Sequence, residues 1–180
     1  TSHFNDTNTL IQVINILKEY IKDQGNLLLT QNAFRLLPVL GLEKKEPQTR
    51  KVDVKDQGYG RKRGFHAFRS HPIFNHMHGG AYVFNPPRDT VITQVGYFNP
   101  GEIIQGKTAA VDWAYIRLEE DKKLVLEYPH KQGTVLAIGA YMQFSLPNNH
   151  RDHFEQFVHN VINYVTGKNK QKAYYWHYGD

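Results

Sequence analysis

At 180 residues, with 40% hydrophobic residues and a mean hydropathy of −0.58, the chain can bury the core of one globular domain and has no apolar run near the roughly 20 residues that cross a bilayer. Cysteine is absent, which excludes disulfides and any mechanism that uses a thiolate of this chain. The net charge of +5 is local: between Lys44 and Ser70 nine basic residues (Lys44, Lys45, Arg50, Lys51, Lys55, Arg61, Lys62, Arg63, Arg69) stand against three acidic ones (Glu46, Asp53, Asp56), so one segment holds the whole surplus.

Leu10, Val13, Ile14, Leu17 and Ile21 recur at helical spacing, with caps available at Asp6 to Thr9 and a stop at Gly25, and predict an amphipathic helix. Asn26-Leu-Leu-Leu-Thr30 is a short apolar run bounded by polar residues, as expected of a strand in a covered sheet. Thr30 then caps a predicted helix over 31–40 that Pro38 must kink or shorten before Gly41 ends it. From Glu43 to His78 the pattern loses its period, which reads as a long excursion with one short strand near Val52 to Val54. Tyr82 to Phe84, Val91 to Phe98, Val111 to Leu118, Leu124 to Tyr128 and Val135 to Ile138 are rich in β-branched and aromatic residues and predict strands, the last two forming a hairpin across Pro129 to Gly133. Phe154, Phe157, Val158, Val161, Ile162 and Val165 make the inward stripe of a second helix, Arg151 to Thr166, closed by Gly167. Lys168 to Lys172 reads as a linker, and Ala173 to Tyr178 as an aromatic strand of this domain or of a following one.

Three segments in this order resemble one family. Gly25-Asn-Leu-Leu-Leu-Thr-Gln-Asn-Ala33 with Leu36-Leu-Pro-Val-Leu-Gly-Leu42, then Ser70-His-Pro-Ile-Phe74, then Gly133-Thr-Val-Leu-Ala-Ile-Gly139 before the last helix are similar to the back half of class I glutamine-amidotransferase-like domains. The His-Pro-Ile element resembles that of the trehalose-utilisation-type relatives of this family and of similar domains in bacterial carbohydrate-processing proteins. The resemblance implies a flavodoxin-like α/β fold, a mainly parallel sheet with flanking helices over residues 1–167, incomplete on its N-terminal side, with 168–180 beginning something further. True amidotransferases place a Cys on a strand-to-helix elbow and a His-x-Glu near the end, because a thiolate nucleophile needs an oriented base. This chain has no Cys and no such His-x-Glu, and the elbow would fall upstream of Leu10. The resemblance therefore implies a catalytically silent module in a periplasmic or extracellular setting. Its first strands are expected from the remainder of a larger polypeptide or from a second chain that completes the sheet.

Several residues carry candidate chemistry. His66, His71, His76 and His78 crowd one region, and His76 and His78 would share a face in extended chain as metal ligands can, but no His-Glu-x-x-His or similar acidic motif accompanies them, so no metal and no cofactor is assigned. His71, before Pro72, reads first as a turn residue. Asp112, Glu119, Glu120, Glu127 and Asp152 lie near predicted element ends, where a glycosidase pair can sit, although Glu119 to Lys123 reads more simply as a solvated turn. The three serines, Ser2, Ser70 and Ser145, lie outside any Gly-x-Ser-x-Gly elbow. Tyr82, Trp113, Tyr115 and Trp176 offer faces on which a pyranose could stack, against the simpler reading that most are core. Gly58-Tyr-Gly-Arg-Lys-Arg-Gly64 mixes cations and aromatics as polyanion-binding segments do, but a single short patch without a recognised module around it disfavours nucleic acid. The expectation is thus a scaffold or carbohydrate-binding module with His71, His76, His78, Asp112 and Trp113 as ligand contacts. The alternatives are a carbohydrate hydrolase with its site near the His66 to His78 loop, and polyanion binding through 58–64.

Overall fold

The computed structural model describes residues 7–52, 63–67, 71–77, 80–84, 93–99, 101–102, 104–114, 118–130, 133–140 and 151–167. Two helices, α1 (Thr7–Lys22) and α2 (Arg151–Val165), flank eight strands: β1 (Leu27–Thr30), β2 (Gln48–Val52), β3 (Arg63–Ala67), β4 (Gly80–Phe84), β5 (Thr93–Tyr97), β6 (Lys107–Ala114), β7 (Leu118–His130) and β8 (Gly133–Ile138). Among the described residues, two short 3₁₀ turns, η1 (Gln31–Leu36) and η2 (Pro72–Phe74), complete the elements.

Both helices form where the apolar stripes predict them. The helix expected over 31–40 is instead η1 and a turn, because Pro38 has no N–H to offer the Phe34 carbonyl and its ring crowds that position, so an α ladder cannot propagate. The excursion from Glu43 to His78 holds more regular structure than its composition suggests: β2, β3 and η2 all fall within it. The strand expected at Val52 to Val54 meets β2 (Gln48–Val52) only at Val52, and 53–54 lie outside the described residues. Glu119 to Lys123, expected as a solvated turn, is the first half of the 13-residue β7. The linker and aromatic strand of 168–180 lie outside the described residues.

The main sheet has the order β1-β8-β7-β6-β3-β4, and β2 and β5 form a separate two-stranded ribbon. The expectation of a mainly parallel sheet is overturned: β1 and β8 run parallel, from Leu27 opposite Val135 to Thr30 opposite Ile138, and the other four pairings of the main sheet are antiparallel. Connection length is the physical reason. Parallel neighbours need a crossover of a dozen residues or more, whereas three residues join β6 to β7 and two join β7 to β8, so these strands can only fold back on one another. The predicted hairpin is thus real, with His130 opposite Gly133 across its tip.

Period-two alternation along β1 and β8 divides the core between the two faces of the sheet. Leu29, Val135 and Ala137 pack with Ile21 of α1 and with Phe34, Leu37, Leu40, Leu42 and Phe98. Leu136 and Ile138 pack on the other side with Phe154, Phe157 and Val161 of α2 and with Ile73 and Phe74 of η2. β8 is buried along its whole length, consistent with a strand covered on both faces. Each of its fully buried Val, Leu and Ile side chains contributes roughly 1.5–3 kcal/mol relative to exposure. The β2–β5 ribbon is fastened by a close backbone crossing, where Gly96 N–H donates to Gly139 O at 2.7 Å, and a Cβ on Gly139 would overlap the Gly96 carbonyl. Reciprocal bonds between Phe98 and Lys123, at 3.1 and 2.9 Å, extend that seam.

Candidate functional site: a closed polar cluster at His71

Proline chemistry sets the local geometry. A residue before proline is driven out of the α region, and His71 is extended (φ −68°, ψ 137°), while Pro72 starts η2 with its φ already helical. The His71 side chain folds back over the turn, and its Nδ1 accepts from the Ile73 N–H at 3.3 Å. Ile73 and Phe74 then enter the core, where Phe74 stacks on Phe157 of α2 with centroids 5.6 Å apart. Asn160 of α2 donates its Nδ2–H groups to the Ile73 carbonyl at 3.2 Å and the Asn75 carbonyl at 2.8 Å, and its Oδ1 accepts from Gln156 at 2.9 Å. The turn is therefore fixed to α2 by packing and by backbone hydrogen bonds.

The other ring nitrogen of His71 points at β7. Nε2 lies 3.6 Å from Glu127 Oε2, beyond hydrogen-bond reach, and is itself buried without a hydrogen-bond partner. The second carboxylate oxygen of Glu127 accepts from the Tyr164 hydroxyl, and the Tyr164 ring meets His71 edge-on at 4.7 Å between centroids. Burial pushes the Glu127 carboxyl up, but the contacts of His71 and Tyr164, the charge His71 carries when protonated and the charge of Lys107 outweigh it, so the group lies below its ordinary value. Tyr164 moves the opposite way: burial and its bond to Glu127 raise the phenol well above its ordinary value, so it remains a proton donor.

A second carboxylate, this one buried, sits on the opposite face of the sheet. Glu43, 4% exposed, accepts from Gln105 N–H at 2.9 and 3.0 Å, from Gly106 N–H at 2.9 Å and from the Tyr128 hydroxyl at 2.7 Å. A Cβ on Gly106 would stand 2.7 Å from the Tyr128 ring, so glycine lets the chain approach this closely. Burial, then the bond to Glu43, raise the Tyr128 phenol far above its ordinary value.

Of the residues expected to contact a ligand, His71 is buried and engaged in the fold rather than open to solvent. His76 is exposed at the end of the same turn, in a left-handed conformation (φ 62°). His78 lies outside the described residues. Asp112 and Trp113 fall in β6, where Asp112 stands in register with Phe65 on one side and Glu119 on the other, and Trp113 with Gly64 and Leu118; their side chains lie outside the described residues. Among the described residues, no three His, Cys, Asp or Glu side chains gather as a metal would need. Asp152 is exposed in the first turn of α2, where a negative charge favours the helix N-terminus. Sequence reasoning missed Glu43, Tyr128 and Tyr164, because their partners lie 37 to 85 residues away and no local pattern marks them. The local signals that pointed to the cluster were the His-Pro pair and the carboxylate Glu127 at the end of a predicted strand.

No protein-family model matches the chain, and no curated protein matches it. Among the described residues, no helix is long and apolar enough to cross a membrane.

Proposed function

We propose that the chain is a non-catalytic amidotransferase-like module, a scaffold or ligand-binding part of a bacterial carbohydrate-utilisation protein. The observation that carries this reading is the closure of the His71 cluster: the histidine, carboxylate and tyrosine that come together here hold η2, β7 and α2 to one another and leave neither ring nitrogen aimed at solvent. Placement of the resembling segments supports the same reading. Leu27 to Thr30 and Val135 to Ile138 are parallel neighbours, and the His-Pro-Ile-Phe turn packs against the last helix. The chain also has no Cys to serve as an amidotransferase nucleophile.

The same module has an undefended edge. Among the described residues nothing pairs the outer side of β1, and Leu-Leu-Leu-Thr carries no charge, proline or bulge to blunt it. On α1, Ile11, Ile16 and Tyr20 are 51%, 67% and 47% exposed. These features favour a sheet completed by the remainder of a larger polypeptide or by a second chain. A carbohydrate ligand would be met by His76 at the end of the 71–77 turn and by Asp112 and Trp113 of β6, with His78 a further expected contact outside the described residues.

The hydrolase reading keeps one specific support, the register of Asp112 beside Glu119 on adjacent strands. The two readings separate in one experiment. Aryl glycosides and oligosaccharides are tested for turnover with the wild-type chain and with His71→Ala, and both proteins are unfolded in urea. The scaffold reading expects no turnover and a loss of about 1–3 kcal/mol in the variant. Turnover by the wild type would overturn it, whether or not His71→Ala abolishes that turnover.

A further inference from the structure

The His71 ring lies between two partners and is long to both: 3.3 Å from the Ile73 N–H it accepts and 3.6 Å from the Glu127 oxygen it faces. Accepting from Ile73 requires a lone pair on Nδ1, which fixes neutral His71 as the Nε2–H tautomer. A second proton can enter only at Nδ1, and there it removes the one acceptor that caps η2. The same proton makes the ring a cation 3.6 Å from a carboxylate held in its charged form.

We infer that His71 is a two-position proton switch for the 71–77 turn: neutral, it caps η2 through Nδ1; protonated, it gives up the Ile73 N–H and closes on Glu127 as a buried ion pair. Two titratable groups face the ring among the described residues, Glu127 from β7 and Tyr164 from α2, and Lys107 of β6 acts on Glu127 by its charge. Tyr164 keeps its proton and donates to Glu127 in both positions, so Glu127 remains an acceptor for His71. The remaining bonds of the turn do not involve the imidazole: Phe74 N–H to His71 O at 3.0 Å, Asn75 N–H to Pro72 O at 3.1 Å and Met77 N–H to Phe74 O at 3.0 Å. Acid therefore loosens the first turn of η2 selectively, upstream of the exposed His76, while Asn160 still holds the Ile73 and Asn75 carbonyls.

The test is an NMR pH titration of the chain, reading the His71 ring-nitrogen shifts and the exchange protection of single amides, each corrected for intrinsic exchange. At high pH the ring should be the Nε2–H tautomer. As it protonates, Ile73 protection should fall about fivefold or more, the loss expected for one hydrogen bond, while Leu126 and Leu136 in the core stay protected. His71→Asn can still cap through its side-chain oxygen and cannot take the proton, so its Ile73 protection should be flat with pH. Glu127→Gln removes the anion, and Ile73 protection should then persist to lower pH. An Nδ1–H tautomer at high pH, or the same pH profile for Ile73 in wild type and His71→Asn, would overturn the switch. The wild-type tautomer decides the question even if a variant fails to fold.

Discussion

Glu43 is buried and Glu127 partly buried, each beside a tyrosine, yet the sheet places them on opposite faces and satisfies them differently. Glu43 receives two backbone N–H groups and the Tyr128 hydroxyl, donors that do not change charge over the working pH range. Glu127 receives one hydroxyl and leans on a histidine that remains 3.6 Å away. Backbone donors make a fixed joint between the segment after η1 and the start of β6, whereas a histidine partner makes a joint that pH can alter. The difference shows how one kind of residue, a glutamate bonded to a tyrosine, serves permanence in one place and response in another.

Substitutions can break that comparison at either site. Glu43→Ala strands the Gln105 and Gly106 N–H groups and the Tyr128 hydroxyl together, and is expected to cost about 3–5 kcal/mol by urea unfolding, the largest effect of the set. Tyr128→Phe removes one bond to a charged acceptor and should cost about 2 kcal/mol in the same assay. Glu127→Gln still accepts from Tyr164, so the expected loss is about 1 kcal/mol at neutral pH.

The sharper distinction between the two sites is in pH. Because the Glu127 carboxyl is depressed in the folded chain, its contribution is fully present above the ordinary value of 4.5 and fades as pH falls towards and through the lower folded value. Melting temperatures of wild type and Glu127→Gln should therefore converge as pH drops below about 4.5, and a gap that stays constant into acid would remove Glu127 from the account.

Local pattern made the elements legible and left their arrangement dark. The stripes ending at Ile21 and Val165 named both helices, and the apolar runs at Leu27 and Val135 named two strands. That those runs are parallel neighbours depends on strands that meet across more than 100 residues, which no local period encodes, whereas the β7–β8 hairpin was legible because its two strands are joined by two residues. β7 misled for another reason. Its first residues, Glu119 to Lys123, are charged and read as a turn, but a strand needs only one apolar side, and here pairing with β6 carries the chain through them. At the site, the His-Pro pair announced a turn because proline restricts the residue before it, whereas Glu127 stood out only as one of five carboxylates near predicted element ends and Tyr164 resembled an ordinary surface residue of a helix. Only the fold brings these to His71.

The central claim is that the His71 cluster exists to hold η2, β7 and α2 together, and its most direct test is a double-mutant cycle between Glu127→Gln and Tyr164→Phe by equilibrium unfolding. The account predicts that the two substitutions are coupled by about 1 kcal/mol, each making the other less damaging. Additivity within about 0.3 kcal/mol, or variants more stable than wild type, would contradict it.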